Sequence, residues 1–299
     1  MRIGYPCINR SLPCKGNKTF RLKSYSENRF IETVTNNLNC LQSMLEYNKA
    51  HNILFFRISS DIIPFASHPI LSVDWITVFK NKLKSIGDYI RKHEMRISMH
   101  PDQFIVLNTK TEAVLNRSIK ELEYHAAFLD ELELDTSSKI QLHVGGVYND
   151  KKESMNRFVK HYDFLSKHIK KRLVIENDDR NYTIKDCLYI SKHIHIPVLL
   201  DVFHHQLNNN NESVQNAFSL VSKTWKSRDG IPMIDYSSQE KHQRLGKHAN
   251  HIDRDDFNRF LKDSQDFDVD VMLEIKDKEK SAIEAITDAK NDPRFIQLS

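Results

Sequence analysis

Eight short apolar runs recur along the 299 residues, and between them the apolar positions switch to steps of three and four. The runs lie near 2–6, 53–59, 96–101, 140–145, 172–177, 198–203, 232–237 and 269–276. Short apolar runs of this kind fit parallel strands buried on both faces. The intervening stretches carry helical stripes, among them Val34, Leu38, Leu41, Leu45 and Ile76, Phe79, Leu83, Ile86, Ile90, which suit helices packed on a sheet. Eight strand–helix units of roughly 37 residues each predict the α/β class, a single (β/α)8 TIM barrel over residues 1–299. An open doubly wound sheet would bring a Gly-rich turn after the first strand. The segment after Tyr5 has no GxGxxG.

Six of the runs end badly for a buried strand. His100, His143, Glu176, Asp201, Asp235 and Glu274 stand at or just after their tips. Charged side chains are rarely buried without partners, so core packing does not explain such endings. In a barrel the C-terminal strand ends share one rim, where active sites form. Imidazole and carboxylate together suit Zn2+, Mn2+ or Fe2+. Glu176 and Glu274 have two oxygens each and are natural bridges between ions. His204, His205, His68 and the cluster His242, His248, His251 add ligand candidates on the same loops. A lone histidine is more often a surface or hydrogen-bonded residue than a ligand; the metal reading rests on the joint pattern.

At 39% apolar and 28% charged residues, the chain has material for a large core. No apolar stretch approaches the ~20 residues that span a bilayer. The start, MRIGYPCINR, has no secretory h-region. Cys7, Cys14, Cys40 and Cys187 show no CxxC spacing and no disulfide framework. They suit a reducing cytosol, and none is expected to bind metal. The expectation is therefore a cytoplasmic protein. A net charge of +4 is weak evidence for a polyanion partner. The first loop is more pointed: Arg10, Lys15, Lys18, Arg21 and Lys23 are interleaved with Phe20 and Tyr25. Cations for phosphates and rings for stacking are what a reader of distorted DNA needs. A solvated basic loop fits the same residues.

The segments RIGYPCIN, FRISSDIIPFASHP, SMHPDQFIVLN, LHVGGVYNDK, IENDDR, LLDVFHH, DYSSQ, GKHANHID and MLEIKDKEKS resemble the UV-damage endonuclease family, over nearly the whole chain. The resemblance implies a barrel related to endonuclease IV and the xylose-isomerase-like enzymes. It implies hydrolysis of the phosphodiester immediately 5′ of UV photoproducts in duplex DNA, leaving a 3′-hydroxyl and a 5′-phosphate. Two or three divalent ions are implied, manganese first and zinc or magnesium as alternatives. By motif, His100, His143 and Glu176 would hold one ion, and Glu176, Asp201, Asp235 and Glu274 would surround a second. His204 and His248 would hold a third, with His68 a further ligand; Glu176 or Glu274 would position the attacking water. Tyr5, Gln103 and Phe104 fall where the family inserts residues at the lesion, and Asn9 would support Tyr5. Some relatives carry Lys-x-His at the end of the seventh strand, with a carboxylatable lysine; here the segment is Met233-Ile234-Asp235. The probe position held by Tyr in some relatives is Phe104. The partner implied is lesion-bearing duplex DNA, bound by a nucleoid-associated monomer with no obligate protein partner and no membrane. Competing readings on the same barrel are an abasic-site endonuclease, a sugar isomerase and a damage-binding module without catalysis.

Overall fold

The computed structural model describes residues 1–297. Eight parallel strands close into a barrel in sequence order. They are β1 (Ile3–Pro6), β2 (Phe55–Ser59), β3 (Arg96–His100), β4 (Lys139–His143), β5 (Leu173–Glu176), β6 (Val198–Asp201), β7 (Met233–Tyr236) and β8 (Asp270–Leu273). The helices are α1 (Glu27–Ala50), α2 (Trp75–Lys92), α3 (Glu112–Glu131), α4 (Lys151–Tyr162), the short α5 (Lys167–Lys170), α6 (Ile184–Ile194), the short α7 (Val202–Leu207), α8 (Val214–Ser222), α9 (Arg254–Asp263) and α10 (Glu279–Ala289). Each predicted strand is present within a few residues of its apolar run. Glu274 lies one residue beyond β8. The barrel's outer face packs on the helical stripes, and Val34, Leu38, Leu41 and Leu45 are fully buried there. Among the described residues, no helix is long and apolar enough to cross a membrane.

Strand side chains alternate, so residues two apart face the same side. The barrel interior is thereby sorted into layers. Phe55, Val174, Leu199, Met233 and Met272 form an apolar plug, closed by Trp225. On the N-terminal side of this plug, Arg96 pairs with Asp270 at 2.9 Å and Lys139 with Asp229 at 2.5 Å. One residue pair further along the strands lie Arg57, Gln141, Glu176, Asp201 and Asp235, all buried. The register sets this last layer side by side, pairing His143 with Glu176 across β4–β5 and Asp201 with Asp235 across β6–β7.

The cysteine expectation is corrected. Cys14 and Cys40 form a disulfide, with Cα atoms 5.8 Å apart. It ties the long loop after β1 to α1. The pairing joins an irregular loop to a helix across 26 positions, so local spacing carries no sign of it. The same loop is held by Asn37 of α1, whose side-chain oxygen accepts from the Lys18 amide and whose NH2 donates to the carbonyls of Lys18 and Ile62. Phe20, Tyr25 and Phe65 pack ring against ring, and Arg29 covers Phe20. The aromatics of the basic loop thus stiffen the loop itself.

Gly87 lets α2 approach the end of α3. A β-carbon there would stand 2.0 Å from the Leu132 carbonyl oxygen. Glycine-to-alanine changes inside helices ordinarily stabilise by about 1 kcal/mol. Here the backbone carbonyl cannot move aside, and overpacking of about 1–3 kcal/mol outweighs the gain. Gly87→Ala is expected to lower Tm, measured by thermal denaturation; a rise would contradict this packing.

Candidate active site at the strand ends

The rim site begins with a residue inside a strand. Arg57 sits in the middle of β2, 3% exposed, with its guanidinium in the barrel mouth. Its Nη2 donates to both Asp235 oxygens at 2.7 and 2.9 Å, and its Nη1 to Glu274 Oε1 at 2.5 Å. Nη2 also donates to Gln141 Oε1 at 2.8 Å. The Gln141 amide nitrogen in turn donates to Glu176 and Asp235. One guanidinium and one amide therefore link carboxylates from β5, β7 and the end of β8.

Two ligand sets converge here. His100 Nε2 lies 2.8 Å and His143 Nδ1 3.2 Å from the same oxygen, Glu176 Oε1. Buried His143 Nδ1 nevertheless has no hydrogen bond, because its approach to Glu176 is not aligned for one. Donor atoms of His100, His143 and Glu176 all lie within 4.8 Å of one another, and so do those of Glu176, Asp201 and Asp235. An orphaned, buried imidazole nitrogen facing a shared carboxylate oxygen fits a divalent cation, and N/O donor sets of this kind suit manganese or zinc. Glu176 belongs to both sets, as a bridge must.

Asp201 ends β6 and caps α7, accepting from the His204 amide at 2.8 Å. It also holds His204 Nδ1 at 3.0 Å. Asn177 fixes this corner by exchanging side-chain bonds with the Asp201 backbone, at 3.0 and 2.9 Å. His248 reaches in from the β7–α9 loop; its Nδ1 bonds the Glu274 carbonyl at 3.0 Å, and its ring stands 5.9 Å from that of His204. Met233 belongs to the apolar plug beneath Asp235. At this position the strand presents packing, and the next inward residue presents the carboxylate.

The buried charges shift one another's protonation. Burial pushes the Glu176 carboxyl up, but His143 and His100 outweigh it and bring it down to about 2. Burial lowers His204, yet Asp201 beside it raises the imidazole to about 11. His100 is raised as well, because Glu176 overcomes its burial. Asp235 moves the other way: burial and the neighbouring Glu274 and Glu176 carboxylates raise it well above the usual range despite Arg57.

Other expected residues stand elsewhere. Tyr5, expected at the lesion, is fully buried on the outer side of its strand, edge-on to Phe56. Its hydroxyl donates to Asn48 Oδ1 at 2.7 Å and accepts from Asn9 Nδ2 at 2.9 Å. Alternation turns Tyr5 towards α1, leaving Gly4 and Pro6 to face the interior. Asn9 does support Tyr5, and its oxygen also accepts the Ser11 and Leu12 amides. His68 is exposed in the β2–α2 loop, where its Nδ1 accepts from the Ile70 amide; none of its bonds reaches the rim ligands. His205 is buried beside Glu212, and His251 pairs with Asp277 and Glu284. Gln103 and Phe104 occupy an exposed turn after β3, and Phe104 is 75% exposed. That turn, Arg57, His100, His248 and Glu274 line one open cleft of about 1030 Å3, with Arg244, Lys247, Lys276 and Lys278 along its wall.

The UV-endonuclease UvdE family model matches residues 1–294. The chain belongs to that family. A UV DNA damage endonuclease of Clostridium perfringens (strain 13 / Type A) is 44% identical over 292 residues, covering 97% of this chain and 71% of the relative. One from Bacillus thuringiensis subsp. konkukian is 31% identical over 296 residues, covering 96% and 93%. Among solved structures, SacUVDE superposes with a TM-score of 0.94 at 48% identity, covering 99% of this chain and 100% of that one. Endonuclease IV from Thermus thermophilus, at 13% identity and a TM-score of 0.54 over 78% of this chain and 87% of its own, shares the fold alone.

Arg57, Gln141 and Asn177 escaped the reading of strand ends. Arg57 had a signal, since a cation inside FFRIS is as anomalous in a buried strand as a terminal carboxylate.

Divalent-ion uptake is expected to release protons. An imidazole must be neutral to ligate, and His204, raised to about 11 by Asp201, carries a proton at neutral pH in the metal-free protein, with His100 shifted in the same direction. Mn2+ affinity should therefore rise with pH from about 6 to 8. Titration calorimetry in buffers of different ionisation enthalpy checks this, and binding heats that do not depend on the buffer would refute it.

Proposed function

We propose that this chain is a metal-dependent repair endonuclease that nicks duplex DNA immediately 5′ of UV photoproducts, leaving a 3′-hydroxyl and a 5′-phosphate. The observation that carries the reading is the place of Glu176 in both ligand sets, bonded to His100 on the lining of a cleft that also carries several cations. His100, His143 and Glu176 would hold one divalent ion, and Glu176, Asp201 and Asp235 a second, with manganese the first candidate. Glu274, His204 and His248 would complete the outer part of the cluster. When bound, such ions neutralise the scissile phosphate and lower the pKa of a water. The chain's own groups do the rest: Glu176 and Glu274 orient that water, Arg57 fixes Glu274, and Asn177 fixes Asp201.

Lesion choice would come from the duplex. A photoproduct stacks and pairs poorly, so splaying it costs less than splaying intact bases. Phe104 and Gln103 would fill the gap, with the ring stacking on a neighbouring base. The Cys14–Cys40 disulfide and Asn37 hold the basic loop in place beside them.

Two substitutions test the proposal. Glu176→Gln keeps the shape of the side chain but loses the charge both ligand sets share. Nicking of a thymine-dimer duplex in Mn2+ should fall by about 100-fold or more; a near wild-type rate would remove the metal bridge from the mechanism. Phe104→Ala should weaken binding of the same duplex by about 1–3 kcal/mol, the worth of one stacked base. Its Tm should be unchanged, because the ring touches solvent. Equal affinity in a gel-shift titration would show that Phe104 is no probe. An abasic-site duplex run in parallel separates the endonuclease IV-like alternative.

A further inference from the structure

Lys278 breaks three local rules at once. It is the N-cap of α10, a position that favours Ser, Thr, Asn, Asp or Gly. A lysine has no oxygen to accept the first-turn amides, and its side chain makes no capping bond. Its cation stands near the positive end of the helix dipole, which disfavours it. Its backbone lies at φ 61° and ψ −115°, outside the small left-handed well open to L-residues. Such strain persists only where the surroundings over-determine it.

The surroundings do so here. The next residue, Glu279, is fully buried. Its carboxylate accepts from the Arg10 amide and the Ser11 hydroxyl, both at 2.8 Å. Ser281, a turn later, accepts from the Ile252 amide at 3.0 Å. The start of α10 is clamped from both sides, and the clamp holds Lys278 at the cleft.

Nothing inside the protein uses the ammonium. Among the described residues it has no hydrogen bond and no ion pair, and its electrostatic neighbours are Cys7, Glu274, Arg57 and Arg10. Glu274 is already bound by Arg57 at 2.5 Å. Two of the other cations near it are committed, Arg57 to two carboxylates and Lys276 to Asn250 at 3.3 Å, while Arg10 is exposed to solvent. A half-buried cation, set in strained backbone on the wall of the cleft and lacking an internal acceptor, is matched to an anion from outside.

We propose that Lys278 is a catalytic residue of the nicking reaction, its ammonium donating to a non-bridging oxygen of the scissile phosphate. This rests on the proposed function. As water oxygen bonds to phosphorus and the P–O3′ bond breaks, Lys278 stays protonated and holds the charge that builds on that oxygen. The attacking water gives up a proton to bulk water, and the leaving O3′ takes one from it, so that the two transfers balance.

Glycine makes the test sharp, because it suits this backbone and has no side chain. Lys278→Gly, Lys278→Gln and Lys278→Arg would be compared with wild type on a duplex carrying one thymine dimer. Lys278→Gly is expected to keep or raise Tm while kcat falls at least about tenfold. Its dissociation constant for the duplex, measured before Mn2+ is added, should change by less than about threefold. Lys278→Gln should behave likewise, and Lys278→Arg should recover part of the rate, since it keeps the charge. A smaller kcat loss, a loss that tracks a fall in Tm, or an arginine variant as slow as the glutamine one overturns the assignment. If wild type itself fails to nick, the proposed function falls and this role with it. A wild type that nicks beside normal Lys278 variants overturns the role of Lys278 alone.

Discussion

The rim is organised by one buried guanidinium. Arg57 binds Asp235 and Glu274 directly and reaches Glu176 through Gln141. Four carboxylates crowd the barrel mouth, and taking each out of water costs several kcal/mol unless charge or hydrogen bonds compensate. Arginine is suited to the task because its planar fork can serve two carboxylates at once and stays charged when buried. Without it, Asp235 and Glu274 would face each other as like charges in a low dielectric. Its cost is met by geometry: of its three partners, Gln141 and Asp235 come from strands the barrel already fixes and Glu274 directly follows β8, so little is lost in holding them.

The layers beneath explain why such a site can exist at all. The plug of Phe55, Val174, Leu199, Met233 and Met272 separates the rim carboxylates from a second charged layer, where Arg96 and Lys139 meet Asp270 and Asp229. The two ends of the barrel thereby keep their charges apart. The far end is pinned by complete ion pairs and by carbonyls, as Arg96 donates to those of Ile231 and Asp229. The rim is left with carboxylates that protons and Arg57 only partly balance. Stability and function are thus written into different inward rows of the same strands, and Met233 and Asp235, two residues apart, belong one to each.

Much of this was legible in the sequence, for a physical reason. Strands buried on both faces leave unbroken apolar runs, so the eight strands and their polar endings stand out without any alignment. His100, His143, Glu176, Asp201 and Asp235 follow from that logic alone. What the periodicity could not say is which side of the strand a residue faces. Tyr5 and Asn9 sit in a motif that resembles a probe, yet the pleat turns Tyr5 outward against Asn48. Loops are less legible still. The Cys14–Cys40 bond depends on how an irregular segment folds over α1, and His68 spends its Nδ1 on its own turn. Neither outcome has a periodic signature.

The loops nevertheless share a design that bears on lesion recognition. Bending or opening a duplex costs several kcal/mol, and a protein that must also order its own loops on binding would add to that cost. Here the ordering is built in: a disulfide, the Asn37 staple and a packed aromatic cluster fix the first loop, and Glu279 anchors Arg10 and Ser11. Against this stiff wall, Phe104 stands out as a large apolar side chain bared beside the cleft. A rigid wall with one protruding ring favours a substrate that already yields at one step, because intact DNA would have to supply all of the deformation itself. Under the proposed function, discrimination would then come from the stiffness of the protein as much as from any contact to the damaged bases.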